Sequence, residues 1–141
     1  MAFVLDASIA GCWAFDDEDH PTAFAALERL RTDDAMAPSL LWFEVRNLLL
    51  ANERRGRIDE ATVAAFLRRL TRLPIVIDRE PDEAQLMALA RRHRLTVYDA
   101  AYLELAQRED LSLATLDTQL AQAARAEGIG LIDPGAAHQA S

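Results

Sequence analysis

Lysine is absent from this chain, and its other scarce features each exclude a class of protein. All 15 basic residues are Arg, and with 23 acidic residues the formal net charge is −8. An acidic chain is not an obvious binder of polyanions, because contacts to phosphates need basic side chains. The single cysteine, Cys12, permits no internal disulfide, so we predict a small buried side chain in a reducing compartment.

Long hydrophobic runs are also missing. The longest apolar stretch, SLLWFEVRNLLLAN, is interrupted by Glu44 and Arg46 and is too short to cross a bilayer. The first residues include Asp6 and no basic stretch, so no signal peptide is expected. Because 51% of the 141 residues are apolar, we predict a single domain over residues 1–141, with a core of its own, in the cytoplasm.

Short apolar segments alternate with helical segments along the chain. The predicted strands are FVLD, AMAP, IVID, LSLAT and GLID, at residues 3–6, 35–38, 75–78, 111–115 and 130–133. The predicted helices occupy residues 7–15, 21–31, 40–55, 60–73, 81–93, 98–109 and 117–128. Strands separated by helices imply right-handed crossovers and a sheet covered on both faces. We therefore predict a three-layer α/β/α sandwich with a mainly parallel sheet of about five strands.

Local signals set the ends of two of these helices. Ser39 and Asp59 each precede a helical segment, and both residue types favour the N-cap position. Gly56 follows the segment LLWFEVRNLLLANERR, where a residue with positive φ commonly ends a helix. We predict that Ser39 and Asp59 cap the helices that follow them and that Gly56 ends the first.

Four acidic residues fall where this topology gathers them at one edge of the sheet. Asp6 ends the first strand, Asp117 follows LSLAT by two residues, Glu44 lies one turn into the helix after AMAP, and Asp99 begins another helix. The carboxyl ends of parallel strands meet at one edge, so four carboxylates can project together. Each also has a simpler explanation: Asp6 and Asp117 as helix caps, Asp99 as a first-turn acid, and Glu44 as a surface residue.

Glu44 fits its simpler explanation poorly, because apolar residues nearly encircle it on the helix. It lies four residues after Leu40 and four before Leu48, so we expect partial burial, with Asn47 orienting the carboxylate. No Arg is clearly on that face, and a metal ion is one candidate for the missing cation. Clustered carboxylates without His or Cys favour Mg²⁺ or Mn²⁺, ions that activate water and stabilise charge on a phosphodiester.

Four motifs carry these acids in an order and spacing that match a known family. They are VLDASIAGCW with Asp6 and Ser8, PSLLWFEVRNLL with Glu44 and Asn47, LTVYDAAYLELA with Asp99, and LATLDTQLAQAA with Thr115 and Asp117. Together they resemble PIN-domain proteins, and more closely the VapC-type toxins of bacterial toxin–antitoxin pairs, over nearly the whole chain. The fourth motif departs from the pattern, since Gln119 and Leu120 stand where an aromatic residue is also common.

The resemblance implies a metal-dependent ribonuclease that hydrolyses RNA phosphodiesters. The residues expected to ligate Mg²⁺ or Mn²⁺ are Asp6, Glu44, Asp99 and Asp117, with Ser8 and Thr115 hydrogen-bonded to the carboxylates or to a metal-bound water. It also implies a cognate antitoxin of the VapB type, whose Arg-bearing tail would enter the acidic pocket.

Basic and aromatic residues outside the four motifs have competing interpretations. Six arginines near one helix–turn–helix segment form either a solvated surface or a patch for the RNA backbone: Arg54, Arg55, Arg57, Arg68, Arg69 and Arg72. The run from Asp16 to His20 is expected to be a solvated loop, and His93 and His138 are expected to be ordinary surface residues. Trp13, Phe15, Trp42 and Phe43 are assigned to the core or to an interface. The apolar segment WFEVRNLLL favours a homodimer.

Three other functions compete with a ribonuclease toxin. A phospho-acceptor receiver domain also places acids and Mg²⁺ at parallel strand ends, but it depends on a Lys that this chain lacks. A PIN-like fold that serves only as an interaction module would not need four intact acids. A PIN ribonuclease in RNA processing, without an antitoxin, would share the same motifs, although the compact length favours the toxin.

Overall fold

The computed structural model describes residues 1–15 and 20–134, in which a parallel sheet lies between two layers of helices. The strands are β1 (Phe3–Leu5), β2 (Ala35–Pro38), β3 (Ile75–Asp78) and β4 (Ser112–Ala114). The helices are α1 (Ala7–Cys12), α2 (Pro21–Arg29), α3 (Leu40–Arg54), α4 (Glu60–Thr71), α5 (Glu83–His93), α6 (Val97–Glu109) and α7 (Thr118–Ala126).

The sheet has the strand order β3-β2-β1-β4, and every pairing is parallel. Phe3 pairs with Ala35 on one side and with Ser112 on the other, so β1 is a central strand. All three residues of β1 are fully buried, because helices cover both faces of the sheet. This explains the unbroken apolar run in the sequence, which is typical of a central parallel strand.

The predicted fifth strand, GLID, is reduced to a single bridge. Leu131 pairs with Leu113 of β4, fixed by a hydrogen bond from the Leu113 amide to Gly130 O at 2.9 Å. A longer ladder does not form because β4 has only three residues and the chain leaves the sheet at Thr115. The predicted sandwich and parallel sheet are confirmed, with four strands in the described residues rather than five.

The two helical layers follow from the strand order. The connections from β1 to β2 and from β2 to β3 cross the sheet in one direction, and right-handed crossovers then place α1–α4 on one face. The connection from β3 to β4 crosses the sheet in the opposite direction and places α5 and α6 on the other face. α6 packs against the sheet, α5 and α7, so seven consecutive residues from Ala100 to Ala106 are buried. Within the described ranges, no helix combines the length and the apolar character that a membrane span requires.

Both predicted N-cap residues stand at the starts of their helices, but only one of them makes the expected hydrogen bond. The Asp59 side chain accepts a hydrogen bond from the Thr62 amide at 2.7 Å, which confirms it as the cap of α4. Ser39 occupies the N-cap position of α3 as predicted, but its side chain makes no capping hydrogen bond, because its own backbone is already helical (φ −59°, ψ −24°). Gly56, at φ +77°, follows α3 as expected. α1 ends at Cys12, three residues earlier than predicted.

A glycine allows α1 to approach α3 closely. A Cβ atom on Gly11 would lie only 2.8 Å from Cδ1 of Leu48, so a larger residue would push the Leu48 side chain aside. Leu48 belongs to the same helix as Glu44, one turn further along. The close contact between α1 and α3 therefore helps to place Glu44 beside the end of β1.

Candidate metal centre at the carboxyl edge of the sheet

A cavity of about 320 Å³ lies where the carboxyl ends of β2, β1 and β4 meet. Asp6 follows β1, Glu44 lies on the helix after β2, Asp117 follows β4, and Asp99 lies in the first turn of α6. All four predicted acids line this cavity. The chain reverses its direction across the sheet between β1 and β4, and such a switch point is where open α/β sheets commonly bind ligands.

Asp6 is the most enclosed of the four acids, with 5% of its surface exposed. Its Oδ1 accepts hydrogen bonds from the Ser8 amide at 2.6 Å and the Ser8 hydroxyl at 2.5 Å, and its Oδ2 accepts one from the Thr115 hydroxyl. Burial raises the pKa of Asp6, and the hydrogen bonds from Ser8 and Thr115 oppose that rise. Asp6 also caps α1, so its simpler explanation holds alongside its place in the cavity.

Hydroxyl groups fasten the end of β4 to the end of β1. Ser8 Oγ accepts a hydrogen bond from the Leu116 amide at 2.9 Å, and Thr115 Oγ1 accepts one from the Asp117 amide at 3.0 Å. Asp117 Oδ1 in turn accepts hydrogen bonds from the backbone amides of Gln119 and Leu120, at 2.9 and 3.1 Å, and so caps α7. The positions of Asp6 and Asp117 are therefore coupled through two short side chains.

Glu44 is half-buried, as expected, and its hydrogen-bond donor is Tyr102. The Tyr102 hydroxyl donates to Glu44 Oε1 at 2.5 Å. Burial raises the pKa of Glu44, the hydroxyl opposes the rise, and the negative charges of Asp6 and Asp99 add to it. Asn47, the predicted partner, lines the cavity but is exposed.

Asp99 is half-buried at the entrance of α6, and it is not the cap of that helix. Thr96 is the cap, and its hydroxyl accepts a hydrogen bond from the Asp99 amide at 3.1 Å. Burial raises the pKa of the Asp99 carboxyl, and the negative charge of Asp117 raises it further. Asp99 therefore faces the other acids across the cavity.

The chemistry of the lining fits a hard divalent cation. Among the described residues that line the cavity, none is basic, while four are acidic, so no side chain there neutralises the mutual repulsion. Carboxylate oxygens are the donors that Mg²⁺ and Mn²⁺ prefer. Within residues 1–15 and 20–134, however, no three Asp, Glu, His or Cys side chains are arranged to hold an ion as they stand. The donor type fits, and the carboxylates must converge to form a complete ligand set.

The six arginines lie in two groups at opposite ends of α4. Arg54, Arg55 and Arg57 precede this helix, and Arg68, Arg69 and Arg72 lie at its end, about 16 Å further along its axis. All six are exposed, but the Arg57 guanidinium also lies 4.4 Å from the centre of the Phe15 ring and donates to Asn52. The structure therefore offers two basic surfaces rather than one continuous patch.

The aromatic and histidine predictions have mixed outcomes. Phe15 is buried and Trp13 is half-buried against the core, whereas Trp42 and Phe43 are 53% and 69% exposed, which leaves an interface as their remaining assignment. His93 is not an ordinary surface residue: its side chain is 13% exposed, and its Nε2 lies 2.6 Å from Glu127. Arg92 and His93 lower the pKa of Glu127 to about 2. Residues 16–19 and His138 lie outside the described residues.

The contact between Tyr102 and Glu44 was not predicted from the sequence, where Asn47 was the expected partner of Glu44. One signal was available: a Tyr within the mostly apolar run AAYLELA is expected to be buried, and a buried hydroxyl needs an acceptor. Which carboxylate accepts it depends on how α3 and α6 pack, and local spacing does not show this.

Comparisons with known proteins are consistent with this geometry. The PIN domain family model matches residues 3–126. Ribonuclease VapC3 from Pyrobaculum aerophilum is 34% identical over 129 residues, an alignment that covers 86% of this chain and 94% of that protein.

Two crystal structures share the fold. PAE2754 from Pyrobaculum aerophilum has a TM-score of 0.73 and 24% identity, and the match covers 96% of this chain and 91% of that one. FitAcB from Neisseria gonorrhoeae has a TM-score of 0.55 and 19% identity, covering 96% and 99%. At these identities the two structures support the fold alone. The family model and the sequence relative, which span most of the chain, show that this protein belongs to the PIN-domain family and, within it, to the VapC-type proteins.

Proposed function

We propose that this protein is a metal-dependent endoribonuclease and the toxin of a VapBC-type toxin–antitoxin pair. The observation that carries the proposal is that Asp6, Glu44, Asp99 and Asp117 line one cavity, whose lining contains no basic side chain among the residues that the structure describes. The name of the relative, a ribonuclease, supports RNA as the substrate.

The four carboxylates would hold Mg²⁺ or Mn²⁺. When bound, such an ion activates water and neutralises negative charge on a phosphodiester. Asp6 is held by Ser8 and Thr115, and Glu44 by Tyr102. The remaining convergence would come from the carboxylates of Asp99, in the first turn of α6, and of Asp117, which caps α7.

The proposal is tested by cleavage of single-stranded RNA by the purified protein. We expect cleavage in Mg²⁺ or Mn²⁺, none in EDTA, and a loss of at least 100-fold in rate for Asp6→Asn and Asp99→Asn, because each removes a charged ligand. Glu80→Gln is the matched control, since Glu80 is an exposed acid outside the cavity lining and the substitution removes the same charge. Labelled RNA resolved on a gel gives the rates.

The cellular test is induced expression followed by mapping of RNA 5′ ends, with Asp6→Ala as control. New 5′ ends that depend on Asp6 support the proposal. Growth arrest without new RNA ends, or equal cleavage in EDTA, would contradict it. A protein that binds partners but cleaves no RNA would instead be an interaction module with a PIN fold.

A cognate antitoxin of the VapB type is the proposed protein partner. The acidic cavity is suited to receive an Arg side chain, because four carboxylates line it and none of its described lining residues is basic. A PIN ribonuclease of RNA processing would lack this partner. Co-expression with the product of the neighbouring gene, followed by loss of RNA cleavage, distinguishes the two.

We also propose a cytoplasmic homodimer. Trp42 and Phe43 form an edge-to-face pair, with ring centres 5.0 Å apart, on the exposed side of α3, and Leu50 is exposed two turns later. Contiguous apolar side chains on a surface favour association. We expect wild-type protein to sediment as a dimer and Phe43→Ser to shift towards monomer. Monomeric wild-type protein at micromolar concentration would contradict the dimer.

A further inference from the structure

We propose that Tyr102 is a positioning residue: its hydroxyl donates a hydrogen bond to one oxygen of the Glu44 carboxylate and leaves the other oxygen to bind a divalent cation. The inference rests on the proposed function, because it concerns the same site. It adds a residue to which the sequence motifs assign no role at the metal centre.

The geometry of the hydroxyl carries the proposal. Tyr102 is 2% exposed, and its hydroxyl donates to Glu44 Oε1 at 2.5 Å across the space between α6 and α3. A phenol is a donor at neutral pH, and one bonded carboxylate oxygen leaves the second with its lone pairs available. Glu44 lines the cavity, and its Oε2 is therefore the oxygen that remains available to an ion there.

Tyr102 lies on the helix that carries a second acid of the cavity. Asp99 lies three residues before Tyr102 on α6, and both line the cavity. One buried hydroxyl thus connects the carboxylate of α3 to the helix that carries Asp99.

This connection lowers the conformational cost of assembling the ligands. A half-buried Glu on a helix samples several rotamers, and fixing them costs free energy when an ion binds. Because the Tyr102 hydroxyl already fixes the Glu44 side chain in the folded protein, ion binding does not have to order it. Groups that orient a metal ligand typically change metal affinity by about 10- to 100-fold when they are removed.

The test is a titration of the metal-free protein with Mn²⁺, in which electron paramagnetic resonance of the free ion measures how much Mn²⁺ is bound. We expect Tyr102→Phe to raise the Kd for Mn²⁺ about 10-fold or more, and excess Mn²⁺ to restore RNA cleavage towards the wild-type rate. Tyr98→Phe is the matched control, because Tyr98 lies on the same helix, one turn earlier, and is exposed. Its Kd should equal that of the wild type.

A double-mutant cycle separates positioning from a purely structural role. In Glu44→Asp the carboxylate is one methylene shorter and no longer reaches the hydroxyl, so Tyr102→Phe should then leave the Mn²⁺ Kd unchanged. An equal loss of affinity in both backgrounds would overturn the proposal. Thermal unfolding of metal-free Tyr102→Phe, measured beside Tyr98→Phe, shows whether the variant is folded, and a folded Tyr102→Phe with the wild-type Kd overturns the proposal.

The outcomes distinguish this inference from the proposed function. Wild-type protein that binds Mn²⁺ and cleaves RNA, together with a Tyr102→Phe variant of unchanged Kd, overturns only the positioning role. Wild-type protein that binds Mn²⁺ without cleaving RNA, with a weakened Tyr102→Phe, overturns the ribonuclease and supports the positioning role. Wild-type protein that binds no Mn²⁺ overturns both.

Discussion

At the scale of single residues, the acidic cavity opposes folding at neutral pH. Burial raises the pKa of Asp6, Glu44 and Asp99, so for each the charged form is less favourable in the folded protein than in the unfolded chain. This cost is present above the pKa of the unfolded residue and disappears below it. A cation in the cavity would remove it, which links stability to the proposed metal.

Asp99→Asn should therefore stabilise the metal-free protein. The substitution removes a half-buried charge that faces Asp117, so in EDTA at pH 7 we expect Tm to rise by about 2 °C. The gain should shrink as the pH falls towards about 4, where the wild-type carboxyl also becomes neutral in the unfolded chain. Differential scanning fluorimetry across this pH range measures both effects.

Two controls accompany this measurement. Glu80→Gln removes an exposed charge away from the cavity and should leave Tm unchanged. Addition of Mn²⁺ should raise Tm more for the wild type than for Asp99→Asn. A lower Tm for Asp99→Asn in EDTA would show that the carboxylate stabilises the empty site, contrary to this expectation.

At the scale of elements, α6 is fixed by an ion pair as well as by apolar packing. Glu104 is 1% exposed, and both of its oxygens accept hydrogen bonds from Arg108, one turn later, at 2.8 and 3.1 Å. Arg108 also donates to Asp78 at the end of β3, at 2.7 Å. The pair thus fastens the helix that carries Asp99 and Tyr102 to the edge strand of the sheet.

Removal of the arginine should destabilise the fold strongly. Arg108→Met leaves the Glu104 carboxylate buried without its partner, and we expect a loss of about 3 kcal/mol in the free energy of unfolding. The double variant Glu104→Leu/Arg108→Met should lose less, because no buried charge remains. Urea denaturation gives these values, with the exposed Arg125→Met as control. Equal losses in Arg108→Met and the control would contradict the role of the pair.

The sequence predicted elements well where one local signal dominates. β2 and β3 have the predicted bounds, and Asp59 caps α4. The predictions failed where neighbouring elements decide the outcome. GLID has strand character, but the short β4 offers it only Leu113 as a partner. Ser39 occupies the N-cap position, but its side chain makes no capping hydrogen bond, because the chain has already turned into the helix at that point.

At the scale of the whole molecule, parallel strand pairing predicts where the acids meet. The carboxyl ends of parallel strands bring Asp6, Glu44 and Asp117 to one edge of the sheet, and all three line one cavity there. The donor to Glu44 could not be predicted, because Tyr102 lies 58 residues away on the opposite side of the sheet. The distribution of the arginines likewise follows from the length of α4, which separates residues that the sequence places near one another.

The two basic surfaces should contribute separately to RNA binding if the backbone hypothesis is correct. Arg54→Ala/Arg55→Ala and Arg68→Ala/Arg72→Ala each remove two exposed charges from opposite ends of α4. A pair that contacts phosphates should lower RNA affinity and reduce the slope of log K against log salt by about 1.4, as for two single-stranded phosphate contacts. Filter binding in EDTA from 50 to 300 mM salt measures this slope. An unchanged slope in both variants would leave the arginines as a solvated surface.

The hydrogen bonds of Asp6 also determine at which stage of protein synthesis the acidic cavity can form. Its carboxylate is held by Ser8 nearby and by Thr115, which is 109 residues further along the chain. β1 lies between β2 and β4, so a nascent chain that has not yet reached β4 exposes one edge of β1 and lacks the Thr115 hydroxyl and the Asp117 carboxylate. A ribosome-bound fragment of this protein therefore has an incomplete acidic cavity. The cavity forms only after β4 and the start of α7 have been added.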